Sequence, residues 1–237
     1  MDITGIYISL SKLPEAWVEY HRGVLDRASR GMPMISITRK PMDLGLNLLD
    51  TDTPGYTNIY RQMLRGAKVA TTKYVAMVED DCLYSESHFF KFRPQDDEFA
   101  YNRNRWSLFS WGEPLYSLRQ RISNCSLIAP RELLIEALQE RFDKYNGHPP
   151  DSEMGECGRA RIEDRLKVTR RKQVDFLSGV SIIQINHPLG TDERQRQQWK
   201  SHAEIRAYDI PHWGKAEGLV KIFKDRFKNQ EVEELSC

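Results

Sequence analysis

The sequence predicts an α/β fold with a mostly parallel central sheet and helices on both of its faces. Two observations carry this prediction: short apolar, strand-like runs alternate with amphipathic helical segments through the first 85 residues, and no linker interrupts the chain. Such alternation is typical of parallel strands joined by helical crossovers. With 237 residues, 40% of them hydrophobic and 29% charged, the chain is long enough for one such domain and short for two.

The elements of the first third are predicted from their periodicity and from residues that begin or end helices. Ser11 and Pro14 open the first predicted helix, and Gly31 ends it. Apolar residues at helical spacing define the helices, and unbroken apolar runs define strands that suit the centre of a sheet. We predict strands at 3–10, 33–38 and 73–78, helices at 11–31 and 57–66, and a loop at 44–55.

The second half of the chain has a less regular pattern. A strand is predicted at 124–128 and an amphipathic helix at 130–142, and the polar segment 151–172 is expected to be helical in part. The apolar run 174–185 predicts one further strand, and 105–116 is rich in aromatic residues. We therefore predict a single domain over 1–237.

Composition and cysteine spacing indicate a reduced, cytoplasmic protein. The four cysteines, Cys82, Cys125, Cys157 and Cys237, form neither a Cys-x-x-Cys pair nor an extracellular framework. No basic segment precedes the first apolar run, so no signal peptide is expected. No apolar run approaches the ~20 residues of a membrane span, so no membrane contact is expected. The net charge of +1 favours no class of partner.

An acidic triplet, Glu79, Asp80 and Asp81, directly follows the predicted strand at 73–78. In a parallel sheet, ligands bind beyond the carboxyl ends of the strands. Adjacent carboxylates there suit a hard divalent cation, and Glu79 and Asp81 point the same way if strand geometry persists. The alternative is a solvated turn, or capping of the next helix by Asp80 and Asp81.

The segment 54–84 carries a resemblance to nucleotide-sugar glycosyltransferases of the GT-A fold. In that family a helix with an Asn near its start ends in Gly or Ala. A Lys/Gly-Tyr step and an apolar strand that ends in an acidic motif follow it. The matching residues here are Asn58, Gly66, Ala67, Lys73, Tyr74 and the acidic triplet.

The resemblance implies an enzyme that moves a sugar from a nucleoside diphosphate, expected to be UDP, to an acceptor hydroxyl. It implies that Glu79 and Asp81 hold Mn²⁺ or Mg²⁺ together with a histidine after a late strand. His187 is the expected histidine, and His212 is its competitor. Residues 1–85 would bind the nucleotide-sugar and 86–225 the acceptor, and 226–237 would be an acidic tail.

Two further sets of site residues are predicted on the same resemblance. The base of an inverting enzyme must lie within hydrogen-bond reach of the acceptor hydroxyl. Asp164 is the first candidate for it, followed by Glu163 and Glu153. The alternative for these acids is ion pairing within an Arg-rich helix. The donor is expected to contact Ser9, Ser11, Arg39, Asp43, Asn58 and Asp80.

The acceptor is predicted from the distribution of basic residues. Lys and Arg side chains that neutralise phosphates drive binding to nucleic acids, although a solvated helix face is the alternative. The chain also resembles, in its compactness, small phage enzymes that glycosylate hydroxymethylated pyrimidines in DNA. A surface glycan or lipopolysaccharide precursor is the rival acceptor. The predicted DNA contacts are Arg159, Arg161, Arg165, Arg170, Arg171 and Lys172.

Functions from other classes fit the sequence less well. A nucleotidyltransferase usually has a Gly-rich phosphate loop after its first strand, but residues 9–14 contain no glycine. A phosphatase would need a nucleophilic Asp at the end of the first strand. A nucleic-acid-binding module without catalysis would explain the basic residues of 159–172 but leaves the acidic triplet unexplained.

Overall fold

The computed structural model describes residues 1–190 and 204–234. Its main feature is a seven-stranded sheet with the order β10-β6-β9-β4-β1-β2-β3. The pairs β1–β2, β1–β4, β2–β3 and β6–β10 are parallel, whereas β9 runs antiparallel to both β4 and β6. The strands are β1 (Ile3–Ser9), β2 (Met34–Thr38), β3 (Leu46–Leu49), β4 (Tyr74–Glu79), β6 (Glu98–Asn102), β9 (Leu127–Pro130) and β10 (Lys172–Phe176).

Helices cover both faces of this sheet because successive residues of its strands point to opposite sides. Ile6 of β1 packs in a core with α2 and α4, whereas Tyr7 packs on the other face with residues of α1 and α3. The predicted α/β class with helices on both faces is confirmed. The helices are α1 (Glu15–Ser29), α2 (Tyr56–Val69), α3 (Glu86–Phe90), α4 (Arg131–Lys144), α5 (Ala160–Leu166) and α6 (Ala216–Glu234). None of the described helices is both long and apolar enough to cross a membrane.

A second sheet of five strands, in the order β12-β8-β7-β11-β5, was not predicted. Its strand β5 begins immediately after the acidic turn that ends β4, so Asp80 and Asp81 lie where the chain passes from one sheet to the other. A small hairpin of β13 (Asp209–Ile210) and β14 (Gly214–Lys215) leads into α6. The strands of the second sheet are β5 (Cys82–Leu83), β7 (Arg105–Phe109), β8 (Tyr116–Leu118), β11 (Ile182–Asn186) and β12 (Arg206–Ala207).

Three predictions of local structure were wrong. The predicted loop at 44–55 contains the edge strand β3, whose leucines at both ends are exposed and therefore give no buried periodicity. The run 174–185 is not one strand, because β10 and β11 belong to different sheets and are separated by 177–181. The predicted strand at 124–128 begins with a 3₁₀ turn at Asn124–Ser126, and β9 follows it.

Candidate functional site

A cavity of about 320 Å³ lies beyond the carboxyl ends of β1 and β4 and beside the first residues of α2. This is where a mostly parallel sheet is expected to bind a ligand. Loop residues that follow β1 and β11 close its other sides. The lining residues are Ile8, Ser9, Leu10, Lys12, Leu13, Gly55, Tyr56, Asn58, Ile59, Gln62, Glu79, Asp80, Asp81, His187, Leu189 and Gly190.

Asp80 is held in the cavity wall by contacts to both its side chain and its backbone. The Ser9 hydroxyl donates a hydrogen bond to Oδ2 of Asp80, and Nε1 of Trp17 donates to the Asp80 carbonyl at 3.0 Å. Burial and the negative charge of Asp81 raise the pKa of the Asp80 carboxyl to about 7, against the opposing effect of the Ser9 hydroxyl. This carboxylate is therefore fixed in orientation and costly to ionise without a positive charge nearby.

Asp81 and His187 are brought to the same cavity by the pairing of the second sheet. The Asp81 carbonyl accepts a hydrogen bond of 2.8 Å from the backbone N–H of Ile185 in β11, and His187 directly follows that strand. The His187 side chain is buried, with its ring centroid 5.8 Å from that of Phe223. Burial lowers the pKa of His187, although the charge of Asp81 opposes the shift. A neutral imidazole can act as a metal ligand.

Glu79 lines the cavity next to two buried thiols. One carboxylate oxygen of Glu79 and the sulfurs of Cys82 and Cys125 all lie within 4.8 Å of one another. The Cys82 thiol also donates to Oδ1 of Asp81 at 3.2 Å, so it lies between the two acidic side chains. Burial, together with Cys125 and Asp81, raises the pKa of Glu79, and the charge of Arg105 partly opposes this. Both acidic side chains therefore have the Cys82 thiol nearby, and Glu79 also has that of Cys125.

These residues fit a divalent cation. Asp80 and Asp81 supply carboxylate oxygens, the ligands that Mg²⁺ and Mn²⁺ prefer, and His187 supplies an imidazole nitrogen that Mn²⁺ also accepts. No ion pair joins either aspartate to a Lys or Arg among residues 1–190 and 204–234. The three groups line one cavity and are of a suitable chemical type, but their ligand atoms do not all lie within 4.8 Å of one another.

A buried acid that the sequence analysis missed, Asp50, organises the start of α2. Its Oδ2 accepts hydrogen bonds from Asn58 at 2.9 Å and Gln62 at 2.8 Å, and Arg39 lies 3.3 Å away. Asp50 follows the edge strand β3 at the same end of the sheet as the acidic triplet. Because β3 was not predicted, nothing in the sequence marked Asp50 as an acid that directly follows a strand. Asp50 orients Asn58 and Gln62, which line the cavity.

The other residues predicted to contact the sugar donor lie at different distances from the cavity. Ser11 joins the ends of β1 and β2, because its hydroxyl accepts the N–H groups of Arg39 at 3.1 Å and Lys40 at 3.2 Å. The Arg39 guanidinium is held by the Asp52 carbonyl and by Asp50. Neither Ser11 nor Arg39 lines the cavity. Ser9 and Asn58 do.

Asp43 was predicted as a donor contact, but the structure does not place it at the cavity. It is fully exposed and lies 3.6 Å from Arg22 of α1. The loop before β3 carries Asp43 away from the ends of β1 and β4, because Leu44 is buried against the face that holds α1. Asp50 is the acid that reaches the strand ends from this part of the chain.

The three predicted catalytic acids are occupied by partners within the protein, and none lines the cavity. Asp164 is exposed and accepts two hydrogen bonds from Arg170, at 2.5 and 2.7 Å, which lower its pKa. Glu153 pairs with Arg165 at 3.2 Å. The ion-pairing alternative therefore describes these side chains better than the catalytic one.

Glu163 has a structural position of its own. It is fully buried, and its two oxygens accept backbone N–H groups of Gly158 at 2.8 Å and Arg171 at 3.0 Å. The equally buried Arg141 lies 3.9 Å away. Glu163 thus ties α4 and α5 to the chain just before β10, at the end where that strand begins. It does not face the strand ends that line the cavity.

The basic residues predicted to contact DNA are mostly neutralised. Five of the six lie within 4.0 Å of a carboxylate. Arg171, whose side chain is 6% exposed, contacts both Glu136 and Glu140 of α4. The stretch is a network of ion pairs around α5 and the start of β10. The pairs are Arg159–Glu156, Arg165–Glu153, Arg170–Asp164, Arg171–Glu136, Arg171–Glu140 and Lys172–Asp97.

No family model matches the sequence, and no curated protein matches it. Among solved structures, a glycosyltransferase involved in glycosylating the major capsid of PBCV-1 is 9% identical at a TM-score of 0.46, covering 84% of this chain and 98% of its own. TM-scores below 0.5 do not establish a shared fold, so such likenesses do not decide the chemistry of the site.

Two further solved structures show the range of these similarities. A mannosyltransferase from Pyrobaculum calidifontis, solved with GDP-Man and Mn²⁺, is 12% identical at a TM-score of 0.42, covering 78% of this chain and 56% of its own. A nucleotidyl transferase from Methanothermobacter thermautotroptrophicus is 13% identical at a TM-score of 0.38. The match covers 58% of this chain and 75% of that protein.

Proposed function

We propose that this protein is a metal-dependent glycosyltransferase that uses a nucleoside diphosphate sugar. The observation that carries the proposal is the arrangement of Asp80, Asp81 and His187 on one cavity wall at the carboxyl ends of β1 and β4. Asp81 and His187 offer a carboxylate and an imidazole to a cation that in turn binds a diphosphate, and Asp80 places a second carboxylate beside them for the rest of the donor. The acidic motif at a strand end is also the feature through which the sequence resembles the GT-A enzymes.

In this proposal Asp81 and His187 hold Mn²⁺ or Mg²⁺, with Glu79 as the additional acid predicted from the sequence. The cation would neutralise the negative charge that develops on the departing diphosphate when its bond to the sugar breaks. The described protein gives Asp81 no cationic partner of its own and holds its backbone against β11. Burial lowers the pKa of His187, which favours the neutral imidazole that a metal binds. Both groups line the same cavity, which supports their assignment to one cation.

Asp80 and Ser9 are proposed to bind the nucleoside part of the donor. An ionised Asp80 can accept hydrogen bonds from ribose hydroxyls, and its hydrogen bond from Ser9 fixes the carboxylate for this purpose. Asn58 is 3% exposed, and its Oδ1 has no hydrogen-bond partner among the described residues. A donor group on the nucleotide would satisfy it. Tyr56 is 45% exposed at the cavity edge, where its ring can stack on a base.

The acceptor is proposed to be a carbohydrate hydroxyl, as in a surface glycan or a lipopolysaccharide precursor. A hydroxymethylated pyrimidine in DNA is the other predicted acceptor, but its supporting residues are engaged elsewhere. Phosphate binding by the basic stretch 159–172 would first have to break ion pairs such as Arg170–Asp164 and Arg171–Glu140. The carbohydrate acceptor needs no such rearrangement.

A donor screen tests the proposal. The protein is incubated with Mn²⁺ and a panel of UDP- and GDP-sugars, with and without DNA that contains hydroxymethylpyrimidines, and released nucleoside diphosphate is measured. We expect slow, Mn²⁺-dependent release from one donor that does not increase with DNA. Release that increases with DNA would identify DNA as the acceptor. No release from any donor would contradict the proposed glycosyltransferase activity. The Asp164→Asn variant, which lies outside the cavity, is the matched control for Asp81→Asn.

A further inference from the structure

Three arginines from two segments of the chain meet at the start of β7. Arg105 is the first residue of β7, and Arg119 and Arg121 follow β8, the antiparallel neighbour of β7. The Arg119 backbone N–H donates to the Arg105 carbonyl at 2.9 Å, and Nη2 of Arg105 donates to the Arg121 carbonyl at 3.0 Å. These hydrogen bonds fix the three residues as one group, called the arginine cluster below.

The arginine cluster places positive charge next to neutral partners. Arg105 is 1% exposed. Its Nη1 donates to the neutral Gln184 amide at 2.5 Å, and its Nε has no hydrogen-bond partner among the described residues. Arg119 donates to the Ser107 hydroxyl at 3.0 Å and stacks over the Phe109 ring at 5.3 Å. In residues 1–190 and 204–234, neither Arg105 nor Arg119 has a carboxylate within 4.0 Å.

The three guanidinium groups act on one another electrostatically. Burial and the neighbouring charges of Arg121 and Arg105 lower the pKa of Arg119. Burial and the charge of Arg105 lower the pKa of Arg121, and the negative charge of Glu156 partly opposes this. Placing like charges together inside a protein costs free energy unless an anion compensates. Arg105 and Arg119 differ in this from an arginine of the stretch around α5 such as Arg170, which is compensated by Asp164.

The arginine cluster is open to solvent and close to the candidate active site. Arg119 is half-buried and Arg121 is exposed, so a ligand can reach both. The charge of Arg105 acts on Glu79, and that of Arg121 acts on Tyr56. Glu79 and Tyr56 both line the cavity assigned to the donor. The arginine cluster therefore lies on the side of the cavity that carries Glu79 and Tyr56.

We propose that the arginine cluster binds an anionic group, a phosphate or a carboxylate, on the acceptor. This inference rests on the proposed glycosyltransferase function and names the chemical class of its acceptor. Arg119 and Arg121 would contact the anion, since the planar fork of a guanidinium matches paired oxygens. Arg105 is a positioning residue. Its buried guanidinium donates a hydrogen bond to the Arg121 carbonyl and adds a positive charge near the anion. The acceptor hydroxyl is then delivered to the donor cavity from the side of the second sheet.

Anion binding is tested first with inorganic sulfate on the full chain. Sulfate replaces chloride at constant ionic strength in the absence of divalent metal, and the arginine Nε–H signals are followed by NMR. We expect saturable shifts for Arg119 and Arg121, weakened about tenfold or more in Arg119→Gln and less in Arg119→Lys. Arg170→Gln, an exposed arginine paired to Asp164, is the control and should change nothing. Non-saturable shifts, or equal affinity in Arg119→Gln, would overturn the proposal.

The assignment of the anion to the acceptor is tested by transfer. Acceptors that differ only in a neutral hydroxymethyl, a phosphate or a carboxylate are compared with one donor. We expect Arg119→Gln to raise KM for the charged acceptor that works best by about tenfold or more, leaving KM for the neutral one and the affinity for nucleoside diphosphate with Mn²⁺ unchanged. The better charged acceptor distinguishes phosphate from carboxylate.

The outcomes separate this inference from the proposed function. A tenfold loss of nucleoside diphosphate affinity in Arg119→Gln would place the anion in the donor and overturn the assignment to the acceptor. Equal KM effects on neutral and charged acceptors would also overturn it. If the wild-type protein binds sulfate at the arginine cluster but no nucleotide with Mn²⁺, the proposed function fails while the anion site stands.

Discussion

The acidic pair Asp80–Asp81 and the acidic pair Glu163–Asp164 look alike in sequence and differ in what faces their carboxylates. The first pair ends a central strand and faces a cavity, a serine hydroxyl and His187. The second pair lies on the short helix α5 and is held by Arg170, Arg141 and backbone N–H groups. Ionisation is opposed in Asp80 and favoured in Asp164, as their opposite pKa shifts show.

This difference separates acids that stabilise the fold from acids available to a ligand. A carboxylate paired inside the protein has already gained its electrostatic stabilisation, whereas a crowded carboxylate at a strand end gains it only from a cation that binds there. The same distinction applies to the arginines. Those around α5 are neutralised by carboxylates, while Arg105 and Arg119 have neutral partners among the described residues.

The largest effect is expected from Asp81→Asn. Replacing one carboxylate of the proposed cation site should lower Mn²⁺-dependent sugar transfer by at least ~100-fold, because the leaving diphosphate is no longer neutralised. The fold should be intact, as judged by an unchanged urea midpoint. Asp164→Asn, the matched change in the second pair, should leave transfer unchanged. Equal activity of the two variants would remove the functional distinction between the pairs.

His187→Gln should have the next largest effect on metal binding. Loss of an imidazole ligand is expected to weaken the apparent affinity for Mn²⁺ by roughly 10- to 100-fold. A Mn²⁺ titration of transfer or of nucleotide binding measures it. His212→Gln is the control, because His212 belongs to a different cavity, beside α1 and α3. An unchanged Mn²⁺ titration in His187→Gln together with a weakened one in His212→Gln would reassign the ligand.

Glu163→Ala should affect stability instead of chemistry. Its removal leaves Arg141 buried without its acid and two backbone N–H groups without their acceptor. The free energy of unfolding should fall by about 3 kcal/mol. Urea unfolding measures the loss, and nucleotide affinity per folded molecule should stay at the wild-type value. A stable Glu163→Ala protein that fails in transfer would restore the predicted catalytic role.

The smallest effect is a dependence of stability on pH. The pKa of Asp80 in the folded protein, about 7, lies above its ordinary value of 3.8, so protonation favours the folded, metal-free state. This contribution is complete below the ordinary pKa and is lost as the pH rises toward 7. Chelated protein should therefore lose stability from about pH 4 to about pH 7, and Asp80→Asn should flatten the decline. An identical slope in the variant would show that Asp80 is not the titrating group.

The parts of the fold that could be predicted are those specified by local pattern. β1, α1, β2, α2 and β4 have continuous apolar runs or helical spacing, and their ends agree with the structure to within a few residues. β3 was missed because its leucines at both ends are exposed at the sheet edge. The second sheet was missed because its strands are as short as two residues and β11 finds its partners in β7 and β5, far along the chain.

The residues of the candidate site were likewise predicted only where a local sequence pattern marks them. Asp80 and Asp81 were predicted from their place after β4, and the structure brings His187 to the same cavity. Asp50 was missed together with its strand. Glu163 was assigned to chemistry because its partners, among them Arg141, come from segments that only the tertiary fold brings together. The roles of the cavity residues stay predictions until they are tested.

Calorimetric titration of the protein with uridine and guanosine diphosphates, in Mn²⁺ and in chelator, tests the central claim most directly. The account predicts binding of one diphosphate in Mn²⁺, loss of that binding in chelator, loss in Asp81→Asn and retention in Asp164→Asn. Binding that is independent of the metal, or equal in Asp81→Asn and the wild-type protein, would contradict the assignment of the strand-end acids to a cation and its nucleotide.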